Sequence, residues 1–173
     1  MNNIILIGFM GVGKSTIGSE LAKKLSYKFI DSDHKIEEIA GMSIRDIFRT
    51  YGEKYFRSLE YEVIRDIVSI SDIVLATGGG AVMNNELFDI LLSKGIVIHL
   101  DASLSTLYDR LMDSNNRPML DHSNPKKRIE ELYKLRRPIY MKAHHTINTD
   151  GKKVRNIVDE IAEIIIGREE GKN

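Results

Sequence analysis

Ile4-Ile5-Leu6-Ile7 is an unbroken apolar run, and Gly8-Phe9-Met10-Gly11-Val12-Gly13-Lys14-Ser15 follows it at once. A short run that is apolar at every position reads as a strand buried on both faces. The amphipathic spacing of Ile17, Leu21 and Leu25 then reads as a helix. Strand, G-x-x-x-x-G-K-S loop and helix, in that order, form a phosphate-cradling unit, so the chain binds a nucleoside triphosphate. Gly8 and Gly13 permit backbone conformations that aim N–H groups inward, while Gly11 and Val12 keep the loop compact. Lys14 reaches the β- and γ-phosphates, and the Ser15 hydroxyl serves Mg²⁺. The helix start, including Thr16, turns its positive dipole end and unpaired N–H groups toward the same phosphates. A glycine-rich turn with a solvated lysine is the bland alternative, and the flanking strand and helix argue against it.

With 173 residues, 42% of them hydrophobic, the chain is expected to be a single domain, residues 1–173, with a core that needs no disulfide. Lys plus Arg and Asp plus Glu are both 25, so no overall field recruits nucleic acid or an anionic membrane. There is no cysteine, no basic segment precedes the first strand, and no apolar run approaches the ~20 residues of a membrane span. A cytoplasmic location is the expectation. No surplus apolar helix face advertises a partner, so a monomer is expected.

Apolar runs alternate with helical patterns, which predicts an α/β fold with a parallel sheet and crossover helices. Five strands are expected: Asn3 to Ile7, Lys28 to Asp31, Ile73 to Thr77, Ile96 to Leu100 and His145 to Asn148. Ser43 with Asp46 forms a capping-box start, Asn124-Pro125 an N-cap with proline in the first turn, and Gly95 fits just past a helix end. Asp113 to Pro125 is the one long, polar, turn-rich segment, a natural candidate for a lid over the site or else an ordinary surface loop.

Asp31-Ser32-Asp33 stands where the second strand ends, and ligands gather outside the carboxyl ends of parallel strands. In an extended segment residues i and i+2 share a side. One carboxylate can then serve Mg²⁺ while the other accepts a proton from a substrate hydroxyl. Arg57 and Glu60 lie three apart on a helix within Glu53 to Ile70. Such a pair is either surface decoration of about 0.2–0.5 kcal/mol or a device by which Glu60 orients Arg57 toward a small acid. Spacing alone does not choose. Thr77-Gly78-Gly79-Gly80 follows another strand, and three adjacent glycines imply either close approach of an oxygen-rich ligand or a tight crossover turn. Basic residues that can balance charge on a moving phosphoryl group are Arg110, Arg117 in the lid, and Arg136 beside Arg137. Arg137 and Arg155 read as helix-end charges, and the five histidines lack metal-ligand spacing.

Taken together, GFMGVGKS, DSD, FRSLE, GGG, NRPML and LRRPIY, in this order from about Asn3 to Asn148, resemble the shikimate kinase family. The resemblance implies a three-layer α/β/α P-loop NTPase fold of the nucleoside-monophosphate-kinase type with a five-stranded parallel sheet. It implies Mg²⁺-dependent transfer of the ATP γ-phosphoryl group to the 3-hydroxyl of shikimate, in chorismate and aromatic amino-acid biosynthesis. By the same resemblance Lys14, Asp33 and Arg117 are catalytic, and Ser15 and Asp31 hold the metal. Arg57, Gly79, Gly80 and Arg136 join Asp33 in binding shikimate, with Arg57 and Arg136 on its carboxylate. Arg110 lies beside the adenine and Arg117 reaches the transferring phosphate from a lid at about 112–125, over a substrate-binding segment at about 32–60. Many relatives have a longer, proline-containing stretch before the last helix than Asn148-Thr149-Asp150-Gly151-Lys152, so the purine contacts and the preference for ATP are expected to differ.

Three rivals bound this reading. A kinase of another hydroxy acid, such as gluconate, gives no reason for Arg57, the glycines and Arg136 to converge. A GTP-dependent switch needs N-K-x-D and D-x-x-G strings, which are absent. A silent nucleotide-binding module would have little use for Asp33 and Arg117 beside an intact Lys14.

Overall fold

The computed structural model describes residues 3–112 and 124–170. Arg117 and nearly all of the expected lid lie outside the described residues. Every residue of β1 (Asn3–Gly8) is buried, and it pairs in parallel with β3 (Ile73–Ala76) on one side and β4 (Gly95–Asp101) on the other. β2 (Lys28–Asp31) and β5 (His145–Asn148) complete a five-stranded parallel sheet in the order β2-β3-β1-β4-β5. Central β1 needs apolar residues on both faces, whereas edge β5 has only Ile147 buried, which explains its polar sequence.

Helices cross between the strands: α1 (Lys14–Leu25), α2 (Ser32–Ala40), α3 (Ile44–Ile67), α4 (Asn85–Lys94), α5 (Leu104–Met112), α6 (Pro125–Tyr140) and α7 (Val154–Glu170). Ser43 caps α3 by accepting from the Asp46 N–H at 3.1 Å, and Asn124 caps α6 by accepting from the Lys127 N–H at 3.1 Å. Both are the caps that the sequence predicts. α3 is broken at Gly52, whose φ of 79° and ψ of 173° are not helical, so a new helical run begins at Glu53 and carries Arg57 and Glu60 inward.

Two expectations need correction. Asp31 and Asp33 are not a pair on one side of an extended segment, because α2 starts at Ser32. Asp31 ends β2 and caps α2, accepting from the N–H groups of Asp33 and His34, while Asp33 stands in the first helical turn. Gly95 does follow α4, but in extended conformation as the first residue of β4. A Cβ there would lie 2.5 Å from the Asn3 carbonyl oxygen, so the glycine serves close strand approach.

Candidate active site

The phosphate loop leaves β1 through Gly8 and enters α1 at Gly13, whose φ of 103° is open only to glycine at low cost. No side chain caps α1, and its leading N–H groups face the loop. Lys14 Nζ donates to the carbonyls of Gly8 at 2.8 Å and Phe9 at 3.1 Å, so the ammonium lies across the loop mouth. Val12 is buried beneath the loop, and Thr16 is exposed on α1 at the edge of a groove of about 800 Å³ between α1 and α7. Arg110, on α5, donates to the carbonyls of Val12 at 3.1 Å and Gly11 at 3.4 Å, which places it against the outer wall of the loop.

Ser15 Oγ donates to Asp31 Oδ2 at 2.5 Å. A hydroxyl and a carboxylate beside the loop suit a hard cation that takes its other ligands from phosphate oxygens and water. Among the described residues no group of three or more acidic, His or Cys side chains could hold a metal by itself.

A second cluster surrounds the triple glycine. A Cβ on Gly78 would lie 2.6 Å from Asp33 Oδ1 and 3.0 Å from Glu60 Oε1, so two carboxylates close on one backbone position. Burial, then the neighbouring Asp31 and Glu60 charges, push the Asp33 carboxyl up to about 6, against the pull of Lys14. Glu60 is 2% exposed and accepts from Arg57 Nη1 at 2.7 Å. Burial also raises its pKa, while Arg57 and Arg136 oppose the rise. A Cβ on Gly80 would sit 2.7 Å from both terminal nitrogens of Arg57, and one on Gly79 would make ordinary contacts at 3.5–3.6 Å with Met10 N, Arg136 Nη1 and the Gly8 carbonyl. Arg136 is 5% exposed, an arginine brought inward by α6.

The structure thus brings Asp33, Arg57, Gly79, Gly80 and Arg136 into one cluster near Lys14 and Asp31. Gly78 was not expected to matter separately from its neighbours, and no local signal distinguishes it. Only the folded chain puts Asp33 and Glu60 against it.

The family model described as shikimate kinase matches residues 10–166. The chain belongs to the shikimate kinase family. A curated shikimate kinase from Thermus thermophilus is 47% identical over 161 residues, covering 92% of this chain and 88% of the relative. Among solved structures, shikimate kinase from Acinetobacter baumannii in complex with shikimate superposes with a TM-score of 0.93 at 38% identity, covering 97% of this chain and 94% of that one. A gluconokinase from Sinorhizobium meliloti reaches a TM-score of 0.64 at 15% identity, covering 99% and 98%, a likeness of fold alone. As a member of the shikimate kinase family the chain is an ATP-dependent phosphotransferase, and its sheet and phosphate loop are those of the family fold.

Proposed function

We propose that this cluster is where the γ-phosphoryl group of ATP passes to the 3-hydroxyl of shikimate, giving shikimate 3-phosphate and ADP for aromatic biosynthesis. The convergence of the Asp33 and Glu60 carboxylates, both of raised pKa, with the Arg57 and Arg136 guanidinium groups around Gly78–Gly80, next to Lys14, carries this reading. Phosphoryl transfer asks for positioning and charge balance more than covalent help. Gly11 to Thr16 would bind the triphosphate through backbone N–H groups and Lys14, with Arg110 steadying the loop from outside. Ser15 and Asp31 would hold Mg²⁺, which neutralises phosphate charge when bound.

Asp33 then acts on the acceptor. As its oxygen bonds the γ-phosphorus and the bond to the β,γ-bridging oxygen breaks, the hydroxyl proton passes to the Asp33 carboxylate. A pKa of about 6 keeps that carboxylate mostly ionised at pH 7 while making it a stronger base than an ordinary aspartate. Arg57, oriented by Glu60, and Arg136 receive the substrate carboxylate at the far side, where two forked cations fit a planar acid. Residues 32–60 form the substrate-binding segment of a single domain working in the cytoplasm as a monomer. Among the described residues no helix is long and apolar enough to cross a membrane.

Coupled ADP release with shikimate, gluconate and a nucleoside monophosphate offered in parallel tests the acceptor. Turnover confined to shikimate is expected, and turnover confined to either of the others would overturn the reading.

A further inference from the structure

The triple glycine and α6 meet at a single buried hydroxyl. Tyr140, 1% exposed, donates to the Gly79 carbonyl. Arg136 lies one helical turn earlier in α6; its guanidinium acts electrostatically on the same phenol, and its Nη1 stands 3.6 Å from where a Cβ on Gly79 would sit. A phenol that donates to the peptide keeps its lone pairs for a neighbouring cation, so the Gly79 peptide and the Arg136 guanidinium stand on either side of one hydroxyl's chemistry. Burial pushes its pKa up to about 12, so the phenol remains a donor at working pH. Its ring stacks on buried His99 with centroids 5.2 Å apart and planes 25° apart, which fixes where the hydroxyl points.

Other contacts locate α6 without aiming Arg136. Asp101, at the end of β4, accepts from Arg137 Nη2 at 2.9 Å and from the Tyr133 hydroxyl at 3.2 Å. The Tyr133 ring meets Phe9 of the phosphate loop edge-on at 5.7 Å. These contacts hold the helix, but an arginine side chain has several rotatable bonds between helix and guanidinium, and only a partner at its tip removes that freedom. The Tyr140 hydroxyl and the buried Glu60 carboxylate both act on that tip, and the hydroxyl also holds the Gly79 peptide.

We propose that Tyr140 is a positioning residue for the acid substrate: its hydroxyl ties the Gly79 peptide to Arg136 and so sets the direction in which the guanidinium meets the substrate carboxylate. The inference rests on the reading that Arg136 binds that carboxylate. It adds that Arg136 is pre-aimed by a residue that never touches the substrate, and that the glycine run and α6 act as one unit.

Tyr140→Phe removes the hydroxyl while keeping the ring and its stacking. Shikimate Kd by calorimetry and KM for both substrates would be measured for the full chain, Tyr140→Phe, Arg136→Lys and the double variant. ATP binding would count the folded, competent sites in each. The expected result is a rise of about tenfold in shikimate Kd for Tyr140→Phe, with ATP KM within about twofold. In the Arg136→Lys background, where no guanidinium remains to be aimed, the second substitution should change shikimate Kd by less than about twofold. An unchanged Kd in Tyr140→Phe, or the same fold-change in both backgrounds, would overturn the inference while leaving the role of Arg136 standing. An unchanged shikimate Kd in Arg136→Lys would instead overturn the carboxylate role itself, and the inference with it.

Discussion

Arg57 donates to Glu60 at 2.7 Å from a partly exposed position, whereas the Glu60 side chain is only 3% exposed. The buried member of the pair is the anion, so removing the cation strands a charge inside the protein. Glu60 already has a raised pKa, and Arg57 opposes the rise, so loss of Arg57 lifts it further. A carboxyl whose folded pKa exceeds its unfolded value contributes stability that is fully present below the unfolded pKa and lost as pH rises through the folded one. Arg57→Ala should therefore cost on the order of 2 kcal/mol at pH 8 and clearly less at pH 5. Urea midpoints of both proteins at the two pH values measure this, and a gap that does not change with pH argues against a buried Glu60 charge. The same variant should raise shikimate KM while leaving ATP KM in place.

The three glycines are expected to separate by function. At Gly80 a methyl group would press on the Arg57 guanidinium, and at Gly78 on the Asp33 and Glu60 carboxylates. Each is the far end of a side chain and can move aside with little loss of stability, but not without losing its aim. Gly80→Ala should raise shikimate KM by roughly tenfold. Gly78→Ala should lower kcat by about 10²-fold, since a displacement near 1 Å at the reacting centre has that effect. Gly79→Ala, which meets only ordinary protein contacts, should keep kcat and ATP KM within about threefold and raise shikimate KM less than Gly80→Ala does. Steady-state kinetics on the three variants checks the pattern, and equal losses in all three would contradict it.

Much of the fold was legible because buried parallel strands announce themselves. Ile4 to Ile7 and Ile73 to Ala76 are apolar throughout since helices cover both faces, and all five strands fall within a residue of the expected bounds. The caps at Ser43 and Asn124 were legible because capping is local chemistry. The placement of Asp33 was not. Asp31 at the strand end suits an extended turn or a helix cap equally well, and its capping of α2 is what puts Asp33 in the first helical turn. Gly78 and Tyr140 were invisible for another reason: what they do depends on Asp33, Glu60 and Gly79, which only the folded sheet brings to them. The helix-period pairing of Arg57 with Glu60 was visible, but its burial was not, and burial is what separates an orienting contact from decoration.

Asp33 offers a stability test of its own environment. Its folded pKa of about 6 lies above the unfolded 3.8, so its favourable contribution is complete below pH 3.8 and disappears as pH rises through about 6. Asn cannot ionise. Asp33→Asn should then be more stable than the parent at pH 8 by on the order of 1–3 kcal/mol in metal-free, nucleotide-free buffer, with the difference vanishing near pH 4. Parallel denaturation curves at both pH values measure the gap. No gain at pH 8 would mean that the carboxylate is not held in an unfavourable site.

The Ser15 and Asp31 contact at 2.5 Å leads to a metal-dependence test. In the proposed metal site Ser15→Ala would remove one oxygen ligand, so half-maximal activity should require about tenfold more Mg²⁺, with shikimate Kd in the absence of nucleotide unchanged. Activity titrated against Mg²⁺ gives the answer, and superimposable curves would take Ser15 out of the metal shell.

In the proposed mechanism Asp33 acts on the acceptor hydroxyl while the distant Arg57 and Arg136 hold the substrate carboxylate. Steady-state kcat and KM of Asp33→Ala with shikimate and ATP test it most directly. Orientation and proton acceptance are lost together in that variant, so kcat should fall by about 10²–10⁴-fold. A near-normal kcat accompanied only by a raised shikimate KM would contradict the assignment of Asp33 as the base.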